Sequence, residues 1–357
     1  MSERPRVSVL MSVWNGERYL RQAIDSILGQ TFSDFEFIIV DDASTDSTEA
    51  IMQSYHDPRI LLLKNEHRVG FVRSLNRGLL IGTGEYIARQ DADDISLPER
   101  ITKQVDYLDR HPEVGLLGTW TEAIDEQGAF IGEWRTPVTN GLIQWSLLFG
   151  TCLAHPSIMM RRSTVEKAGA YDERMSQSED YELWCRMSSQ TQVANLPEVL
   201  VQRRIHSTAR SIEYSEQINE LDKHVMQREA QRLLGRGVSQ EEVSSLHHAV
   251  WGKQPLSTAN EVRRTAKLIR SLYSAYAKHV SLPCTEAKQV RRDVAQHLAR
   301  LALNNARVFR KAVFLVLCQA VTLFPGILVS AWPIRFGLKY FGFAKRVNTP
   351  NSTTTCG

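Results

Sequence analysis

Asp91-Ala92-Asp93-Asp94 places three carboxylates within four residues, directly after the short apolar run Tyr86-Ile87-Ala88. Like charges this close raise one another's pKa unless something neutralises them. A divalent cation would do so, because Mg²⁺ and Mn²⁺ take oxygen ligands and bridge one or two carboxylates to substrate phosphates. Short acidic runs are also common as surface turns or helix caps, here leading into Pro98, so the motif gains weight only in company. Asp41-Asp42 supplies that company at the end of Phe35–Val40. A carboxylate there can accept from ribose hydroxyls or a base N–H, as acids in dinucleotide folds do, or it can cap the following helix with Ser44. Glu179-Asp180 opens a third candidate. The run from Glu179 to Arg186 reads as a helix start with Leu183 and Trp184 as core anchors. Asp180 is then either a first-turn charge favoured by the helix dipole or a fixed general base. Arg68 and Arg73 could pair with diphosphate oxygens, and His155 and His206 are structural histidines or site residues. No Walker loop is present, and Gly82-Thr83-Gly84 lacks the context of a dinucleotide fingerprint.

The elements that must position these acids alternate. Val7–Val13 is a β-branched run closed by Asn15-Gly16, and Leu20, Ala23, Ile24, Ile27 and Leu28 recur at helical spacing. Phe35–Val40 reads as a fully buried parallel strand and Ile60–Leu63 as a third strand; Leu75–Ile81 is helical and Tyr86–Ala88 is a fourth strand. Such alternation predicts an α/β fold with a parallel sheet, whose ligands bind beyond the C-terminal strand ends. Asp41, Asp42, Asp91 and Asp93 all fall at those ends. A helix follows over Glu99–Leu108, and 114–205 mixes short strands and helices.

Beyond about Ser211 the pattern is helical: Ile212–Leu234 ending at Gly235, a capping box at Ser239–Glu242, then Glu261–Val280 and Glu286–Leu303. Ala312–Ile334 carries no charge over 23 positions, but Pro325-Gly326 interrupts it and basic residues flank both ends. Equal basic flanks fit a segment that lies in a membrane interface, or enters and leaves on one side, better than a span; a buried hairpin is the other option. The net charge of +3 does not make nucleic acid a default partner, and five scattered cysteines without a C-x-x-C pair indicate neither disulfides nor zinc. With no apolar signal region before Val7, the expected location is cytoplasmic, at the inner face of the cell membrane.

Taken together, Val7–Asn15, Val40–Asp46, Gly84–Asp94, His155-Pro156, Ser178–Trp184 and Arg204-Ile205-His206 resemble a family 2 glycosyltransferase of bacterial surface-polysaccharide type, over residues 7 to about 210. The resemblance implies a GT-A fold, with a mostly parallel central sheet and, in this chain, a C-terminal α-helical extension. It implies that Ser12, Trp14, Asp41 and Asp42 hold base and ribose and that Asp91 is at the donor, where Arg73 is expected from its own place between the third strand and its helix. It implies that Asp91 and Asp93 bind Mg²⁺ or Mn²⁺ and the donor diphosphate, that Asp180 is the general base, and that His206 completes the metal or phosphate site. Ser12 and Trp14 stand where the family commonly has Pro and Tyr, and Trp can still stack on a base. The expected partners are a nucleotide-sugar donor, a glycan or lipid-linked acceptor and a membrane surface, with no nucleic acid.

The organisation expected is a catalytic domain over 1–211, a helical extension over 212–308, an apolar membrane-associating segment over 309–346 and a disordered tail over 347–357. The function expected is inverting transfer of a hexose, most simply from a UDP-sugar, in cell-surface glycan synthesis. Two alternatives bear on the same acids. A metal-dependent sugar nucleotidyltransferase would need a glycine- and basic-rich N-terminal loop, which Val13-Trp14-Asn15-Gly16-Glu17 is not. An inactive glycan- or membrane-binding scaffold would tolerate loss of Asp93 or Asp180, and both are present.

Overall fold

The computed structural model describes residues 4–252, 255–306 and 308–324. In chain order its elements are β1 (Val7–Val13), α1 (Leu20–Leu28), β2 (Phe35–Asp41), α2 (Thr48–Gln53), β3 (Ile60–Lys64), α3 (Phe71–Ile81), β4 (Tyr86–Gln90), β5 (Ile95–Ser96), α4 (Arg100–Arg110), β6 (Val114–Ile124), β7 (Phe130–Trp134), α5 (Asn140–Ser146), β8 (Met159–Arg161), α6 (Arg162–Ala168), α7 (Glu179–Ser188) and β9 (Gln192–Arg204). Helices alone follow among the described residues: α8 (Arg210–Glu213), α9 (Ser215–Leu234), α10 (Gln240–Trp251), α11 (Ala259–His279), α12 (Cys284–Asn305) and α13 (Arg310–Leu323).

The strands form one sheet in the order β3-β2-β1-β4-β8-β6-β9-β5, with β7 paired to β6. Its first part is parallel, β1 lying between β2 and β4. All seven β1 residues are buried, so this strand has helices over both faces and reads as continuous apolar sequence rather than alternation. The sheet becomes mixed where β8 runs antiparallel to both β4 and β6, while β6 and β9 are parallel. Register sets the site. Val13 stands opposite Asp41 and Met11 opposite Gln90, so the acids that follow β2 and β4 emerge on either side of the end of β1. This is the crevice where an open α/β sheet binds ligands.

Helix α1 buries Leu20, Ala23, Ile24 and Ile27, the stripe its 3.6-residue period requires. Gly84 is fixed by a close approach: a Cβ there would lie 2.5 Å from the Ser8 backbone N and 2.7 Å from the Val7 carbonyl carbon. Backbone cannot yield as a side-chain tip can, so Gly84→Ala is expected to cost about 1–3 kcal/mol of stability. Urea unfolding followed by circular dichroism checks this through a lower midpoint at unchanged slope.

Two compact units are present. The first takes the residues up to 244 together with 274–287, and the second takes 245–273 and the residues from 288 on. In the first, Tyr276 Oη donates to the Gly141 carbonyl at 2.6 Å. The capping box forms as the sequence predicts, Glu242 N donating to Ser239 Oγ and Ser239 N to Glu242 Oε2. In the second, Leu246, Val262, Ile269, Val294, Leu298 and Val316 are buried, and Asn305 accepts from Leu256 N while donating to Leu301 O. Of the uncharged stretch from Ala312, only the part in α13 is described; it ends at Leu323 and exposes Phe314 and Leu315. No helix among the described residues is long and apolar enough to cross a membrane. The rest of the segment expected to meet the membrane, and the 347–357 tail, lie outside the described residues.

Candidate active site

The loop after β4 is held from beneath. Gln90 is fully buried, and its Nε2 donates to the carbonyls of Asp91 (3.0 Å) and Asp94 (2.8 Å) while its Oε1 accepts from Ser96 and Arg100. This fixes the backbone of the acidic turn and points its side chains in different directions. Asp94 turns inward, where Oδ1 accepts from Arg204 N at 2.8 Å; burial, then the charges of Asp93 and Asp91, push its carboxyl well above the usual range. Asp93 stays about one-third exposed and pairs with His206 Nε2 at 2.9 Å. His206 Nδ1 lies 2.9 Å from Thr208 Oγ1, and Tyr19 packs its ring against the imidazole at 5.2 Å. Asp91 receives the guanidinium of Arg89.

Arg89 is the residue that sequence reasoning missed. It is fully buried on β4, and besides Asp91 it donates from Nε to His155 Nε2 at 3.2 Å. The same nitrogen accepts from Tyr171 Oη at 2.8 Å. With Nε2 accepting twice, the imidazole proton sits on Nδ1, 4.0 Å from Glu179 Oε1. Burial, with Arg89, Arg210 and Arg203 nearby, holds His155 well below its ordinary pKa, so it is neutral. The only advance signal was a lone arginine inside an apolar strand.

Helix α7 brings the third acid. Asp180 is half-buried in its first turn, where Oδ1 accepts from Tyr181 N at 2.7 Å. Burial raises its carboxyl pKa and Asp91 adds to this, while Arg210 and Arg203 oppose it. Glu179 beside it is buried and pushed up to about 7, chiefly by burial, with Arg210 at 3.4 Å pulling the other way. Its Oε2 and the buried Trp184 Nε1 have no hydrogen-bond partner among the described residues. Because the folded pKa of Glu179 lies above its ordinary 4.5, its proton-linked stabilisation is complete below pH 4.5 and is lost as pH rises towards 7. Glu179→Gln is therefore expected to gain on wild type by up to about 3 kcal/mol between pH 5 and 8; unfolding midpoints at the two pH values check it.

At the nucleotide end the four residues differ. Asp41 is fully buried; Oδ1 accepts from Ser44 N at 3.0 Å, and Oδ2 has no hydrogen-bond partner among the described residues. Ser12 is buried on β1, one residue before the end of the strand. Trp14 is exposed, with the Arg68 guanidinium stacked 3.5 Å from its ring centre. Asp42 is occupied by its own chain: Oδ1 accepts from Asn65 Nδ2 and Val69 N, and Oδ2 from Gly70 N, all at 2.8–2.9 Å. It ties down the loop before α3, whereas Asp41 keeps a buried oxygen that is unpaired among the described residues. Arg73 lies on the surface, its Nε paired with Glu173 at 2.8 Å, so its charge is already answered.

Asp93 and His206 are thus paired, and Asp91 is linked through Arg89 and His155 to Glu179, the residue before Asp180. Glycosyl transferase family 2 is the family model that matches, over residues 8–169. An uncharacterised glycosyltransferase of Haemophilus influenzae is 33% identical, the match covering 63% of this chain and 73% of that protein. The O-antigen biosynthesis glycosyltransferase WbnJ of Escherichia coli is 36% identical, covering 56% of this chain and 80% of its own length. The chain belongs to glycosyltransferase family 2. Among solved structures, S. aureus TarS 1–349 in complex with UDP-GlcNAc superposes with a TM-score of 0.55 at 17% identity, covering 91% of this chain and 92% of that one. The Pyrobaculum calidifontis mannosyltransferase PcManGT, in complex with GDP-Man and Mn²⁺, gives 0.50 at 15% identity, covering 89% and 88%. These likenesses carry the fold, which is GT-A.

A three-ligand set of Asp91, Asp93 and His206, expected from the sequence, is not assembled, and no group of three His, Cys, Asp or Glu side chains among the described residues is arranged to hold an ion. The donor set still suits Mg²⁺ or Mn²⁺. Asp93 offers a partly exposed carboxylate oriented by His206, and these ions complete their shell with substrate phosphates and water rather than protein alone.

Proposed function

We propose that this family 2 glycosyltransferase transfers a hexose, with inversion, from a UDP-sugar to a lipid-linked or polysaccharide acceptor in cell-surface glycan synthesis. The observation that carries the reading is the chain of contacts from Asp91 through Arg89 and His155 to Glu179, the residue before Asp180, since it links the candidate base to the acidic turn at the end of β4. The O-antigen biosynthesis relative supports the pathway class, and the UDP-GlcNAc complex of TarS supports the donor class.

Asp41, whose buried Oδ2 is unpaired among the described residues, accepts from the base or ribose beside Ser12, and Trp14 stacks on the base. Asp93, oriented by His206, would hold Mg²⁺ or Mn²⁺ with Asp91 alongside, and the ion would neutralise charge on the departing diphosphate. Asp180 takes the proton of the acceptor hydroxyl as that oxygen forms its bond to the anomeric carbon. The bond from that carbon to the diphosphate oxygen breaks, and its electron pair leaves with the nucleoside diphosphate. One base acting from the face opposite the leaving group inverts the centre, as in inverting hydrolases. In this reading the enzyme works at the inner face of the cell membrane, with residues 309–346 as the membrane-associating segment after the catalytic domain over 1–211 and helical extension over 212–308.

A panel of UDP- and GDP-sugars with Mn²⁺, scored first by thermal shift and then by nucleotide release, tests this. A shift and release with at least one UDP-hexose are expected. No response to any member of the panel would overturn it.

A further inference from the structure

Helix α7 carries Asp180 in its first turn, and the residues on both sides of that acid are tied to chain beyond residue 209. Ser178 is buried at the N-cap position of α7, where a serine hydroxyl ordinarily accepts from a backbone N–H of its own helix. Among the described residues it makes no such bond. Its Oγ donates instead to Asp222 Oδ1 at 2.7 Å, with Ile218 O at 3.4 Å as a second acceptor. Such a bond does not cap α7; it fixes where the first turn sits. Glu182, buried on the other side of Asp180, accepts from Arg228 Nη1 at 2.5 Å as well as from Arg186 within α7. Ile218, Asp222 and Arg228 all belong to α9. From α8, Arg210 adds contacts to Glu179 at 3.4 Å and to the Ser176 carbonyl at 2.6 Å. Helix α9 lies past residue 211, where the sequence pattern ends the catalytic domain, but inside the first compact unit.

We propose that Asp222 and Arg228 are positioning residues for the transfer reaction: by gripping α7 at Ser178 and Glu182, which bracket Asp180, helix α9 sets the reach of that carboxylate towards the attacking hydroxyl. A reacting group displaced by about 1 Å can lose about 10²-fold in rate, and supporting hydrogen bonds are what hold such groups to within about 0.5 Å. Neither grip is needed for folding as such. Glu182 keeps Arg186 when Arg228 is removed, so no buried charge is left uncompensated, and Ser178 Oγ can fall back on Ile218 O. Burial pushes the Asp222 carboxyl up to about 7 against the pull of the Ser178 hydrogen bond. An asparagine there, whose side-chain oxygen accepts from the same hydroxyl, is therefore a close replacement. This rests on the reading of Asp180 as the base.

The test uses the full chain and compares Asp222→Ala and Arg228→Met with wild type, with Asp222→Asn as the conservative variant and Arg232→Met as the control. Arg232 lies on the same helix but pairs with Glu229 rather than with α7. The rate measured is nucleotide release from the UDP-hexose that the panel selects, with water as the acceptor, and UDP is titrated into each protein with Mn²⁺ present. Asp222→Ala and Arg228→Met are each expected to lower kcat about 5- to 50-fold and to leave the Kd for UDP within about 2-fold. Asp222→Asn recovers most of the loss, and Arg232→Met stays near wild type. A double-mutant cycle gives the readout that a merely structural role would not move: on Asp180→Asn the same substitutions change the residual rate by less than about 2-fold, because no base is left to position. An equal loss with and without Asp180 would mean general damage to the fold and overturn the proposal, as would unchanged kcat in both α9 variants or a parallel fall in UDP affinity. Wild-type release by Asp180→Asn alone would instead remove the base assignment, and the proposal with it, so the two ideas fail by different readouts.

Discussion

Asp180→Asn is expected to lower kcat by about 10²–10⁴-fold, equivalent to roughly 3–5 kcal/mol of barrier, and to leave nucleotide affinity nearly unchanged. The substitution is close to isosteric, and the amide oxygen can keep the hydrogen bond from Tyr181 N, so α7 stays in place. What goes is the lone pair that takes the acceptor's proton. The pH profile carries a second signature. Burial and the Asp91 charge raise the Asp180 carboxyl above its ordinary value, and a base acts only when ionised. In wild type kcat/KM therefore falls as pH drops through a pKa higher than that of a free aspartate, and in Asp180→Asn this acid limb disappears. Stopped-time nucleotide release across pH 4–8 measures both. Equal rates for the two proteins would remove Asp180 from the mechanism.

Asp93→Asn is expected to lower kcat/KM by about 10²–10³-fold, the range seen when one preorganised electrostatic stabiliser of a transition state is removed. Here the loss has a different form. The Asn side chain can still meet His206, so the local packing survives, but the half-exposed negative charge is gone. Nucleotide affinity then falls together with the rate, unlike in Asp180→Asn, and UDP titrations with Mn²⁺ present should separate the two variants. Chelation is expected to bring wild type down to the level of Asp93→Asn and to leave the variant almost unaffected. Wild-type activity that survives exhaustive chelation would contradict the metal assignment.

The first four strands were legible because each is a short apolar run ending in polar residues, which is what a strand buried on both faces must look like. The acids at their tips were legible as a group for the same reason. Their individual jobs were not. An aspartate after a strand reads the same whether it faces a ligand or its own loop; only the fold shows three donors from Asn65, Val69 and Gly70 closing on Asp42. Arg73 is the converse, an arginine placed for a diphosphate by its position in the chain and answered by Glu173, a hundred residues further on. The antiparallel half of the sheet left little trace, since β5 and β8 span two and three residues, too few for any period to register. Arg89 was hidden by sequence distance: His155 becomes its neighbour only once the sheet has formed.

The most direct measurement is the anomeric configuration of the sugar released when the enzyme, at high concentration and without acceptor, hydrolyses its α-linked UDP-hexose, followed by proton NMR before mutarotation. Attack by a water activated at Asp180, from the side opposite the diphosphate, predicts that the β anomer appears first. First appearance of the α anomer would contradict single-base inversion and, with it, the role assigned to Asp180.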